Sequence, residues 1–220
     1  MTVLLILATF VGFGLIDYLL NRKHVVQIAP EHAAAVAAPD QSYVDGFLVP
    51  DNLRYHPGHT WVISERKNLA RVGVDEFGAA LTGKIQSIEL PKPGQWVRQG
   101  QKAIKILRNG DVTELVSPIE GEIAAVNTDL VAEPSLLRND PYGAGWFFTV
   151  NVPDEENIFR NLIPRNMVRD WMATATERLY ALQPQLAGAV AADGGRPVDD
   201  LLAGLPHASW ETVTREFFLT

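Results

Sequence analysis

This sequence predicts a mainly β domain set between an N-terminal transmembrane helix and a C-terminal helical extension. Three observations carry that expectation. The first is an apolar run with a single charge, Asp17, near its end, "VLLILATFVGFGLIDYLL", at residues 3–20. The second is a succession of short β-rich runs over residues 60–152, punctuated by Gly, Pro and Asn at the short spacing of a sandwich or barrel. The third is a change of period after Pro153, where apolar residues recur three and four apart as on one face of a helix.

Composition narrows the function classes. The 220 residues are 47% apolar and 20% charged, as in a globular chain and unlike a disordered one. A net charge of −7 lacks the basic footprint of a nucleic-acid binder, so no nucleic-acid partner is expected. There is no cysteine, which removes disulfides, thiolate metal ligands and cysteine nucleophiles together.

Residues 1–23 read as a membrane anchor. The eighteen residues 3–20 would span about 27 Å as a helix, close to the hydrocarbon thickness of a bilayer. A cleaved signal would carry a basic stretch ahead of its apolar core, but here only Met1 and Thr2 precede it and Arg22 and Lys23 follow. The positive-inside rule then puts the N-terminus outside and the remainder in the cytoplasm, as a single-pass protein of the cell (inner) membrane. Asp17 is read either as an interface residue beside Tyr18 or as a contact to a second membrane helix, for which Gly12 and Gly14 offer a small-residue surface.

Residues 24–49 show no sustained period and read as a tether. The β domain is placed at residues 50–152. Within it, "DEFGAALTG" reads as one short helix capped by Asp75 and closed by Gly83, and the stretch around residues 129–139 reads as a loop. Residues 153–186 form the helical extension. Ile158, Phe159, Leu162, Ile163, Met167, Val168, Trp171, Met172, Ala175, Leu179 and Leu182 make its apolar face, and Pro164 divides it at the first turn of the longer helix. Residues 187–198 read as an Ala- and Gly-rich linker, and residues 199–220 as a docking tail. In that tail a short helix from Ser209 presents Trp210, Val213, Phe217 and Phe218. Such residues dock either on this chain or on another one.

Four motifs in order then point to a family. They are "PDNLRYHPGHTWV" at residues 50–62, "RVGVDEFGAALTGKIQSIELPKPG" at 71–94, "SPIEGEIAAVN" at 117–127 and "LLRNDPYGAGWFF" at 136–148. Together they resemble the glycine cleavage system H protein, a lipoyl carrier, over less than half of the chain. The resemblance implies a barrel-sandwich hybrid fold. It also implies a lysine on the hairpin ahead of Ser-Pro, preceded by Glu-Ser-Val and bearing the lipoyl group. Counting back from Ser117-Pro118, that lysine position falls on Gly110, with Leu107, Arg108 and Asn109 before it.

Glycine has no amine to acylate, so no lipoyl group or other cofactor is expected. Asn109-Gly110 is instead a strong signal for a two-residue β-turn. The nearby lysines, Lys105 and Lys102, lie on the ascending strand rather than at the tip. A lipoyl or acyl carrier using one of them in a glycine-cleavage-like system is the alternative. His56 and His59 have no partner cluster at metal-ligand spacing and read as structural. No nucleophile elbow, phosphate-cradling loop or paired carboxylates with a base are present, so no catalytic residues are assigned.

The expected function is a non-catalytic, membrane-anchored accessory or scaffold subunit of a membrane-bound complex of the redox or respiratory kind. Its partners would be the other subunits and, through residues 3–20, the bilayer. Arg108, Asn109 and Asp111 at the turn, and Trp210, Phe217 and Phe218 in the tail, are the candidate partner contacts. The plainer reading of the turn residues is that they keep a loop in solution.

Overall fold

Residue identity sets the strand pattern directly. In the computed structural model, which describes residues 41–108, 110–153, 159–182 and 210–220, β-branched and aromatic runs form antiparallel strands wherever turn residues separate them. The chain order begins β1 (Gln41–Val44), β2 (Phe47–Pro50), β3 (Arg54–Tyr55), β4 (Thr60–Arg66) and β5 (Leu69–Val74). After helix α1 (Glu76–Thr82) come β6 (Ser87–Glu89), β7 (Trp96–Val97), β8 (Lys102–Arg108), β9 (Asp111–Val116) and β10 (Gly121–Val126). Helices α2 (Thr128–Ala132) and α3 (Leu136–Asn139) lead to β11 (Phe148–Asn151). A 3-10 turn at Arg165–Met167 runs into α4 (Val168–Leu182), and α5 (Trp210–Val213) continues as a π-helical turn, Thr214–Phe218.

Among the described residues the strands form three sheets: the pair β1-β2, a six-stranded sheet β3-β4-β5-β11-β10-β7, and a three-stranded sheet β6-β8-β9. Their inward faces supply a shared core of Val62, Val72, Val74, Ile104, Ile106, Ile123, Phe148 and Val150. Trp61, which donates its Nε1 hydrogen to Val74 O at 2.8 Å, fills the middle. Gly73 has to be glycine there, because a Cβ would drive into the Trp61 indole.

The helix expected at residues 75–83 is present. Asp75 Oδ1 accepts from Gly78 N at 2.7 Å as the N-cap, and Gly83 closes the helix with φ at 60°.

Three expectations are corrected. The tether does not run to residue 49, since β1 and β2 occupy residues 41–50 and bury Phe47 and Val49. Asp45-Gly46, at φ of 48° and 86°, makes the tight primed turn between them. The stretch around residues 129–139 holds two short helices rather than a loop. Asn127 caps the first by accepting from Leu130 N at 3.1 Å, and Leu130 and Leu137 turn inward. The helical extension is helical only from its 3-10 turn at Arg165 onward among its described residues. Asn161 takes a left-handed φ of 64°, which no right-handed helix admits, and Ile163 N bonds to Tyr55 O at 2.8 Å beside β3.

Helix α4 keeps the middle of the predicted face, with Val168, Met172, Ala175 and Leu179 buried, while Phe159, Met167 and Leu182, expected on it, are exposed. No described helix is long and apolar enough to cross a membrane. The predicted anchor at residues 3–20 lies outside the described residues.

Candidate functional site

The β8–β9 hairpin carries the tip singled out by sequence. Its register runs from Lys102 opposite Val116 to Arg108 opposite Asp111, so Gly110 falls in the connection between the two strands. Gly110 adopts φ of 89°, is exposed, and donates its N–H to Gln86 Oε1 at 3.4 Å. A Cβ built at Gly110 meets nothing within 4 Å, so the tip projects into open space. Asn109 lies outside the described residues. Asp111 is exposed, as expected.

Arg108 is not exposed, which corrects its reading as a surface contact at the tip. It is 8% exposed, donates from Nη1 to Leu81 O at 3.4 Å, and lies 5.0 Å from the ring centroid of Trp210. The cause is the two-residue period of a strand: Ile104, Ile106 and Arg108 share one face of β8, and that face is inward. Lys105 occupies the opposite, exposed face between Glu89 on β6 and Glu114 on β9. Lys102 Nζ is 3.5 Å from Glu114 Oε2. Both lysines therefore stand along a strand beside carboxylates, away from the tip.

The C-terminal segment packs against β9 and the turn following β3. Val213, Phe217 and Phe218 are fully or almost fully buried within this chain, and Trp210 is half-buried. The tail thus docks on its own domain, and Phe217 and Phe218 are not free to meet another protein in this conformation. Phe217 meets Phe77 edge-on, with ring centroids 5.3 Å apart. His59 sits beneath, stacked between Phe77 at 4.5 Å and Trp171 at 4.7 Å. Its Nδ1–H points at Asp75 Oδ2, 2.8 Å away. The helical period places Trp171 on the apolar face of α4, and only the packing of α4 against the β domain sets it over His59.

His56, beside this cluster, is held neutral. Burial, and then the neighbouring His59, lower its pKa from 6.5 to about 4. Its Nδ1 accepts from Gly58 N at 3.1 Å, a bond open only to the unprotonated nitrogen. Among the described residues no group of three or more His, Cys, Asp or Glu is placed to hold a metal ion.

The model of the glycine cleavage H-protein family matches residues 53–174, from the residue before β3 into α4. The chain belongs to the glycine cleavage H-protein family. Proteins named glycine cleavage system H protein from Mycobacterium leprae (strain Br4923) and Thermobifida fusca (strain YX) are similar to the H-protein domain. The first is 35% identical over 106 residues, 48% of this chain and 80% of the relative. The second is 38% identical over 107 residues, 49% of this chain and 84% of the relative.

A solved glycine cleavage system H protein from Mycobacterium marinum shares the fold. Its TM-score is 0.50 at 24% identity, covering 58% of this chain and 99% of that one. The H-protein match stops at residue 174, so the second half of α4 and the C-terminal segment lie beyond it. The β1–β2 hairpin precedes it.

Proposed function

We propose that this chain is a non-catalytic accessory subunit that uses the H-protein fold as a docking surface and bears no lipoyl group. The observation that carries this reading is the hairpin tip. Gly110, just ahead of the second member of the Arg108–Asp111 pair, supports it, because counting back from Ser117-Pro118 puts the family's acylated lysine at that position. An amide to lipoate needs a primary amine, and Gly110 offers none. The fold retained without its arm leaves the surface around the tip as the working part.

The apolar run at residues 3–20 supports attachment to a membrane, with the β domain in the cytoplasm and other subunits of a membrane complex, of the redox or respiratory kind, as partners. Tethering suits a fixed subunit better than a carrier that shuttles among soluble enzymes. Native membranes gently solubilised and cleared over an antibody to the β domain test the proposal. The unmodified intact mass together with a stoichiometric set of membrane subunits is the expected result.

A second reading has a specific observation behind it. Lys105 is exposed, and the relatives are named as glycine cleavage system H proteins. An acyl adduct mapped to Lys105 or Lys102 in the same preparation would make the chain a carrier and overturn the docking proposal. The carboxylates on either side of Lys105 and the fixed strand position weigh against it, since a swinging arm gains reach only from a projecting tip.

A further inference from the structure

We propose that residues 210–220 form a displaceable strap over the face beside the β8–β9 tip, so that the surface proposed above for docking is covered until the strap leaves. The inference deepens that reading and rests on it. The strap lies outside the segment matched to the family, which ends at residue 174, so it is an addition to the H-protein domain. It reaches from the tip, where Trp210 lies over Arg108, to the cluster of Phe77 and His59, where Phe217 inserts. Once it is removed, the face it covered presents the edge of Phe77, the strand β9 and the Arg108 guanidinium. A short helix of a partner subunit with aromatic side chains at the strap's own spacing, seven and eight residues after the first, would fit that face.

Three features make the strap's attachment weak for its apolar content. Burying two phenylalanines and a valine returns less than the conformational entropy that ordering eleven residues costs, so these side chains alone do not hold the strap firmly. Trp210 Nε1 is buried without a hydrogen-bond partner. Leu219, a branched residue, ends the π-turn in the left-handed region at φ of 61°. Besides the buried rings, the Arg108 guanidinium against Trp210 and an exposed ion pair to α4, Arg178 Nη1 to Glu216 Oε1 at 3.2 Å, help to hold it.

Native-state hydrogen exchange on the full chain in detergent tests this. The amides of residues 214–218 are expected to exchange at least about tenfold faster than those of Val72, Ile106 and Val150. Phe217→Ala should speed the strap further and leave the core amides unchanged. A fluorescent peptide of residues 209–220 should then bind Phe217→Ala more tightly than wild type. Strap and core amides exchanging at one common rate, or accelerating together in the variant, would make the segment part of the core and overturn the inference. Should Phe217→Ala fail to fold, Trp210→Ala gives the same readouts from a half-buried position. Exchange needs no partner, so a failed strap and a failed subunit proposal are told apart by this experiment and the membrane capture.

Discussion

Asp75 divides its two carboxylate oxygens between His59, whose Nδ1 lies 2.8 Å from Oδ2, and the first turn of α1, where Oδ1 accepts from Gly78 N at 2.7 Å. The residue is wholly buried, so neither bond is replaced by water when it is lost. Asp75→Ala is expected to cost about 3 kcal/mol, the sum of a helix cap and a stranded buried imidazole. Asp75→Asn keeps a capping oxygen and should cost less. Urea unfolding checks this through midpoints at constant m. Equal losses for the two variants would show that the His59 contact carries all of the effect.

His56 gives the chain a stability that depends on pH. Its folded pKa of about 4 lies below the ordinary value of 6.5, so the unfolded chain binds the proton more tightly. Its contribution is complete above pH 6.5, falls as pH drops from there towards 4, and levels off below. The full loss is about 3 kcal/mol. Unfolding of wild type and His56→Gln at pH 7, 5.5 and 4 separates this histidine from the carboxylates. The variant should lose about 3 kcal/mol less over the interval.

Tyr142 ties the N-terminal hairpin to the domain. Its hydroxyl donates to Leu48 O at 2.5 Å and accepts from Glu76 N at 3.0 Å, while Leu48 N donates to Glu76 Oε2 at 2.5 Å. Tyr142→Phe removes one centre from this loop of bonds and is expected to cost about 1–3 kcal/mol. The loss should appear locally. Amide exchange in residues 41–50 should rise while that of β4 and β5 stays put.

The open tip offers a gain-of-function test. Gly110→Lys places an amine where a Cβ meets nothing within 4 Å, at the cost of about 1 kcal/mol for its positive φ. Coexpressed with an active lipoylation system, this variant should acquire the acyl mass while wild type remains unmodified. Lys105→Ala in the wild-type background should leave the intact mass profile unchanged. An adduct on wild type that Lys105→Ala abolishes would instead make that strand lysine the attachment point.

Much of the domain was legible because its signals are local. Asp45-Gly46 needs only its own two residues to make a primed turn, and Asp75 caps α1 through a carboxylate three residues from its donor. The alternation Ile104, Ile106, Arg108 also foretold an inward Arg108, but a charged residue beside a turn invites an outward reading. The β1–β2 hairpin was missed although Asp45-Gly46 between two apolar runs is itself a turn signal. The preceding stretch of alanines masked it.

What the sequence by itself determined, then, is the family, the capped helix α1 and the buried residues of α4. Each follows from neighbours within a few residues, where backbone geometry and side-chain period decide the outcome. The tertiary structure alone decided that Trp210 covers Arg108, that Phe217 closes over Phe77, and that Trp171 stacks on His59. Those pairs are 102, 140 and 112 residues apart by their numbering. Apolar surface has no directional preference for one partner over another, so the match is settled only when the sheets, α4 and the tail compete for the same core.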